Sequence, residues 1–463
     1  MSRVAWSIGG VLTVRVSRPP VGQNRPVTQS HHHDHGGGTT LTSDQARRGL
    51  LALVAVVALV ALIGMFLLRP DGDRPDLAPE LGLNAEIVDA TVTGTAEEAC
   101  AATAEADGIR CLAVVFEVTS GRTAGTDSSF QTSVNEATVR FDPGDEVTLG
   151  YQEDNDPGFQ YYFNDFQRRT PLLLLAGLFV VAVVALGRFQ GLRALVGLGI
   201  TGVVMLGFMF PSILDGHDPT AVALVTAAVI AIVALYLTHG ITEMITVALL
   251  GTFAALGLTA LLAAVFSNLA RFTGFSSEDA FYLTIASADV DVKGLVLAGI
   301  IIGSLGVLDD VTVTQVSAVW QLHEANPAYG ARRLYTAALV IGRDHIASTV
   351  NTLVLAYAGA SLPLLLIFTQ AGRGLGVVAE GELVGVEIVR TLVGSIGLVA
   401  AVPLTTALAA FVVTRGSTLR PRHPERDIVQ PPDEETDPPE ATGPSEAPDR
   451  AWERFAPEDP AGW

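Results

Sequence analysis

The chain alternates long apolar runs with short polar breaks, and eight of the runs approach the length a helix needs to cross about 30 Å of hydrocarbon. They predict membrane-spanning helices at 50–68, 171–187, 193–210, 219–237, 244–266, 293–313, 345–369 and 390–413. A different rhythm fills the gap between the first two. Leu112, Val114, Phe116 and Val118 stand at alternate positions, and shorter pairs recur at Val139 and Phe141 and at Val147 and Leu149. Period two, with turns such as Asp142-Pro143-Gly144-Asp145 between the runs, is the pattern of short strands half-buried in a small sheet. An OB-like barrel or sheet is expected there.

Five regions follow. Residues 1–48 form a polar N-terminal segment, 49–69 the first helix, 70–170 the β domain, 171–414 a bundle of seven helices, and 415–463 a tail. Both ends are expected to be disordered. The first holds a low-complexity tract, His31-His32-His33-Asp34-His35 followed by three glycines, and the last 43 residues carry ten prolines. Neutral imidazoles at His31, His32, His33 and His35 can bind a divalent metal, although such a tract also serves as a plain solvated linker. The first long apolar run starts too late for a cleavable signal peptide.

Composition sharpens this picture. Apolar residues make up 49% of the 463 positions and charged residues 16%, against roughly 25% in soluble domains, yet the net charge is −20. The charge is segregated. Residues 71–170 hold 20 carboxylates against 6 arginines, and 417–463 hold 12 against 5. A soluble enzyme, a basic nucleic-acid binder and a wholly disordered chain are excluded, leaving a polytopic protein whose first partner is the lipid bilayer. With the N-terminus inside, Arg188, Arg193, Arg332, Arg333, Arg343 and Arg415 fall in inner connections, and Asp215, Asp218, Glu278, Asp279 and Glu380 in outer ones. Arg168 and Arg169 run against this pattern. Both termini are then cytoplasmic and the β domain lies outside. There Cys100 and Cys111, the only cysteines, suit a disulfide, with two free thiols as the alternative.

The candidate chemistry sits in the sixth run. Its uncharged part, Gly294 to Leu308, spans about 22 Å as a helix, too little to cross the bilayer. The helix is expected to continue through Asp309-Asp310, Thr314 and Gln315, with the aspartates near the inner boundary. Arg343-Asp344-His345, then Asn351, open the seventh run, and His239 and Glu243 lie between the fourth and fifth. The topology places all of these near one membrane level. Carboxylates there can exchange protons, and together with histidine they can hold a cation. Interfacial ion pairing and helix capping are the structural alternatives. Two membrane aspartates also raise an intramembrane hydrolase, but the string Gly306-Val307-Leu308-Asp309-Asp310 fits one poorly. No phosphate-binding loop, HExxH or GxSxG motif occurs, so a nucleotide site and a specific cofactor are not expected.

The stretch Gly299 to Gln315 (GIIIGSLGVLDDVTVTQ) resembles the YibE/F-like family of multi-pass bacterial membrane proteins, in its actinobacterial form. Ile341 to Leu364, Gly394 to Thr405 and Phe163 to Leu175 support the resemblance, which covers about 85–415. It implies a bacterial inner-membrane location and supplies no substrate, cofactor or catalytic residue. The reading is a permease or transport-associated protein, coupled to protons or cations through Asp309, Asp310 and Asp344. The alternative is a non-transporting scaffold whose β domain binds an envelope partner, and a homo-oligomer is compatible with either.

Overall fold

In a computed structural model the described residues are 44–72, 85–99, 110–133, 139–153, 155, 159–276, 278–286, 290–370, 372 and 374–417. The His-rich tract, the Pro-rich tail and Cys100 lie outside them.

The β domain is one antiparallel sheet. Its strands are β1 (Glu86–Ala99), β2 (Arg110–Val118), β3 (Asp127–Ser133), β4 (Glu146–Tyr151) and β5 (Tyr161–Phe166), in the order β3-β2-β1-β4-β5. The alternation in β2 decides which face turns inward, burying Val114, Phe116 and Val118. Register shifts between Val92 and Gly94 and between Thr148 and Leu149 mark bulges, which bend strands. The sheet curls until its edge strands β3 and β5 touch. Inside, Phe116 lies 5.3 Å from Tyr161 and 5.9 Å from Phe130, measured between ring centroids.

The rest is helical: α1 (Asp44–Leu67), α2 (Arg169–Val204), α3 (Phe210–Leu214), α4 (Pro219–His239), α5 (Glu243–Leu269), α6 (Glu278–Ala286), α7 (Val292–Ala325), α8 (Ala331–Ala360), α9 (Leu362–Gln370), α10 (Leu375–Glu380) and α11 (Glu382–Ser417). Among the described residues six helical stretches are long and apolar enough to cross a membrane, and α8 with α9, bent by 64° at the break, pass the same test as a pair, for up to seven. Several apolar crossings define a multi-pass membrane protein.

Helix limits depart from the hydropathy reading wherever a helix is one-sided. α8 starts at Ala331 rather than 345, because Leu334, Ala338 and Gly342 repeat every four residues and bury one stripe while the arginines point away. α7 runs on to Ala325, and α11 begins at Glu382 for the same reason. The second and third expected spans are continuous from Arg169 to Leu214 and are broken at Arg188 (φ 49°, ψ −128°). A Cβ on Gly191 would collide with the Val183 carbonyl. Residues eight apart in a straight helix are separated by about 12 Å, so the axis turns sharply at Arg188. The arm before the break is apolar and exposed on all sides, as at Leu174, Leu178 and Val181.

Packing centres on α5, α7 and α11, with α4 and α8 flanking α7. Small residues make the seams. A Cβ on Gly251 of α5 would strike Thr405 of α11, one on Gly397 would strike Thr259, and one on Gly342 of α8 would meet Val402 and Gln315. Without a hydrophobic drive between helices in lipid, such close approach supplies the dispersion energy of association.

Candidate functional site

Asp309 sits near the midpoint of α7, which is about 51 Å long at 1.5 Å per residue. The aspartates are therefore well inside the helix rather than at its end, because α7 continues four turns past them. Adjacent helical positions differ by about 100°, so the pair diverges. Asp309 is half-buried toward α5, and Asp310 is exposed. The Thr252 hydroxyl of α5 reaches both sides of this turn, 3.5 Å from Asp309 Oδ1 and 2.7 Å from Thr312 Oγ1. Thr312 Oγ1 also donates to the Asp309 carbonyl at 3.1 Å.

One turn further on, Gln315 is buried and ties three helices together. Its Nε2 donates to the Ala338 carbonyl of α8 at 2.9 Å and to Thr406 Oγ1 of α11 at 2.8 Å. Thr314 points elsewhere. With His239, Ser317 and Gln321 it edges an open cleft of about 510 Å³ whose wall is otherwise apolar, from Met244, Val313, Leu322 and Ile341 among others. The cleft begins one turn from Asp310.

His239 and Glu243 do not act together. α4 ends at His239, Gly240 adopts φ 83°, and the Thr242 hydroxyl caps α5 by accepting from Ile245 N at 3.2 Å. That sharp connection sends His239 to the cleft and Glu243 toward α1. The Glu243 side chain is 9% exposed and lies 3.8 Å from Arg47 Nε, with no hydrogen bond to either oxygen among the described residues. Asp344 and Asn351 are exposed on α8, and His345 is half-buried with its Nε2 unpartnered among the described residues. α7 and α8 are antiparallel. Gln315 meets Ala338, and a Cβ on Gly303 would lie 3.5 Å from the Tyr357 hydroxyl. Asp310 on α7 and Asp344, His345 and Asn351 on α8 fall between those two contacts.

Among the described residues no three His, Cys, Asp or Glu side chains approach closely enough to hold a metal ion. Cys111 is disulfide-bonded. The hydroxyls of Thr252, Thr312 and Thr406 escape a sequence reading, because an uncharged threonine leaves an apolar run intact. Equally hidden is the ion pair of Glu387 and Arg390, 2.6 Å apart and one turn apart on α11, with Arg390 lying against Gly299 of α7. Glu387 is charged, and hydropathy alone puts it in an outer loop.

Neither a curated protein nor a solved structure matches the chain. A family model described as YibE/F-like protein matches residues 175–415, more than half of the 463, and takes in α4 to α8 with Asp309, the cleft and the Gln315 junction. The chain is a membrane protein of the YibE/F-like family.

Proposed function

We propose that the protein is a permease or transport-associated protein whose flux is coupled to protons or cations through Asp309 and Asp310. The observation that carries this reading is a carboxylate at the midpoint of a membrane helix, touched by one hydroxyl and lying one turn from an open cleft that His239, Thr314, Ser317 and Gln321 edge with polar groups. An ionisable group at that depth is costly in lipid, and such groups mark ion or proton paths. Asp309, Asp310 and Thr314 form the line of exchange, Gln315 fixes the helices around it, and His239 stands at the cleft mouth. Asp344 and His345 flank it from α8.

Arginine placement supports a bacterial inner-membrane orientation with the cleft and both termini cytoplasmic. The sharp turn at Arg188 supports two separate crossings within 169–214, and so eight in all. The strand order, with β3 and β5 in contact, supports an OB-like, partly open barrel for the outer domain.

The test uses purified protein in liposomes under imposed proton, sodium or potassium gradients. Wild type is expected to dissipate at least one gradient. Asp309→Asn, which keeps the size of the side chain and removes its charge, is expected to abolish that flux while the protein stays folded, and Asp310→Asn to reduce it. Equal flux in wild type and Asp309→Asn, or no flux under any gradient, overturns the coupling role and favours the scaffold.

A further inference from the structure

We infer that a second copy of this chain packs against the polar outer face of α7 and α8, related by a two-fold axis along the membrane normal. The inference rests on the exposure of that face and not on transport. Asp310 and Thr314 of α7 are exposed, and so are Arg343, Asp344, Ser348, Asn351 and Thr352 of α8. α8 buries only Leu334, Ala338 and Gly342, all in its first half. Its remaining polar residues keep it from being apolar enough to span alone, and it passes as a span only together with α9.

Hydrocarbon does not tolerate such a face. Charged and amide side chains on membrane helices turn to a bundle interior or to another helix that pairs with them. The lipid-exposed first arm of α2 is uniformly apolar from Pro171 to Gly187, with no group to meet an aspartate or an arginine.

A second copy does offer such groups. Two copies in one membrane share an orientation, so each residue meets residues at its own height across an isologous interface. The antiparallel register of α7 and α8 brings Asp310, Arg343, Asp344 and Ser348 to neighbouring heights. Arg343 of one copy then faces Asp310 and Asp344 of the other, and the exchange repeats symmetrically. Asn351 can meet its own counterpart, since a carboxamide both donates and accepts. Gly306 on α7, with open space within 4 Å of the point where a Cβ would sit, lets the backbones approach.

The experiment introduces single cysteines into the full chain in native membranes, Ser348→Cys or Asn351→Cys, and oxidises them with copper phenanthroline. A cross-linked dimer is expected from both. Wild type, and Leu178→Cys on the first arm of α2, are expected to form no covalent cross-link under the same oxidation. Arg343→Asp, which places only carboxylates at one height, is expected to lower the dimer fraction at least tenfold in single-molecule counting, and adding Asp344→Arg to restore it. No cross-link at 348 or 351, or a monomer count for wild type, overturns the inference. So does a dimer indifferent to Arg343→Asp that links only through Leu178→Cys.

Discussion

The Thr252 hydroxyl of α5 stands 3.5 Å from the Asp309 carboxylate of α7, and the same oxygen lies 2.7 Å from Thr312. One threonine therefore joins the two central helices at the level where α7 turns a carboxylate toward the packed interior. Thr252 also donates to the Ala248 carbonyl of its own helix at 3.1 Å, so its rotamer is set by α5 itself.

Thr252→Val keeps the shape and removes the hydroxyl. We expect about 0.5–2 kcal/mol of lost stability, the range for interhelical hydrogen bonds in membranes, read as a lower unfolding midpoint in detergent. A larger effect is expected on gradient-driven flux, because Asp309 loses its side-chain partner.

The glycine seams give a paired prediction. Gly397→Ala and Gly251→Ala press a methyl group into Thr259 and Thr405, and each should destabilise by about 1–3 kcal/mol, the usual range for overpacking. Gly257 lies on α5 with open space within 4 Å of the point where a Cβ would sit, so Gly257→Ala should be neutral or raise stability by up to about 1 kcal/mol through helix propensity. Melting all three variants separates close packing from propensity.

Acid should loosen the first strand of the β domain. The Arg122 guanidinium donates to Glu86 at 2.9 Å and holds that carboxyl below its ordinary range. A group with a depressed folded value contributes stability above the ordinary carboxylate range and loses it as pH falls through the lower value. Hydrogen exchange of β1 amides in the full chain should therefore accelerate in acid beyond the change in intrinsic rate. Arg122→Ala should flatten that dependence.

Much of this architecture was legible because apolar length and period two are direct imprints of lipid and sheet. The buried stripe of β2 and the sites of α4 and α5 follow from them. Helix ends were less legible. Arg332, Arg333 and Arg343 interrupt apolarity without interrupting the helix, so α8 extends 14 residues before the expected start. The acidic residues were legible as residues but not as neighbours. Four positions separate His239 from Glu243, yet a Gly240 turn aims them at α7 and α1, and only tertiary packing shows it. The threonines that surround Asp309 carry no charge and so leave no mark in a hydropathy profile.

On the proposed reading water reaches the acidic turn of α7 from one side only, through the cleft edged by His239, Thr314, Ser317 and Gln321. A membrane-impermeant maleimide applied to Thr314→Cys and Ser317→Cys in sealed vesicles reads that path. Both cysteines should react in inside-out vesicles and stay unlabelled in right-side-out ones. Labelling from the outer side, or from neither side with both thiols reactive after denaturation, would rule that path out.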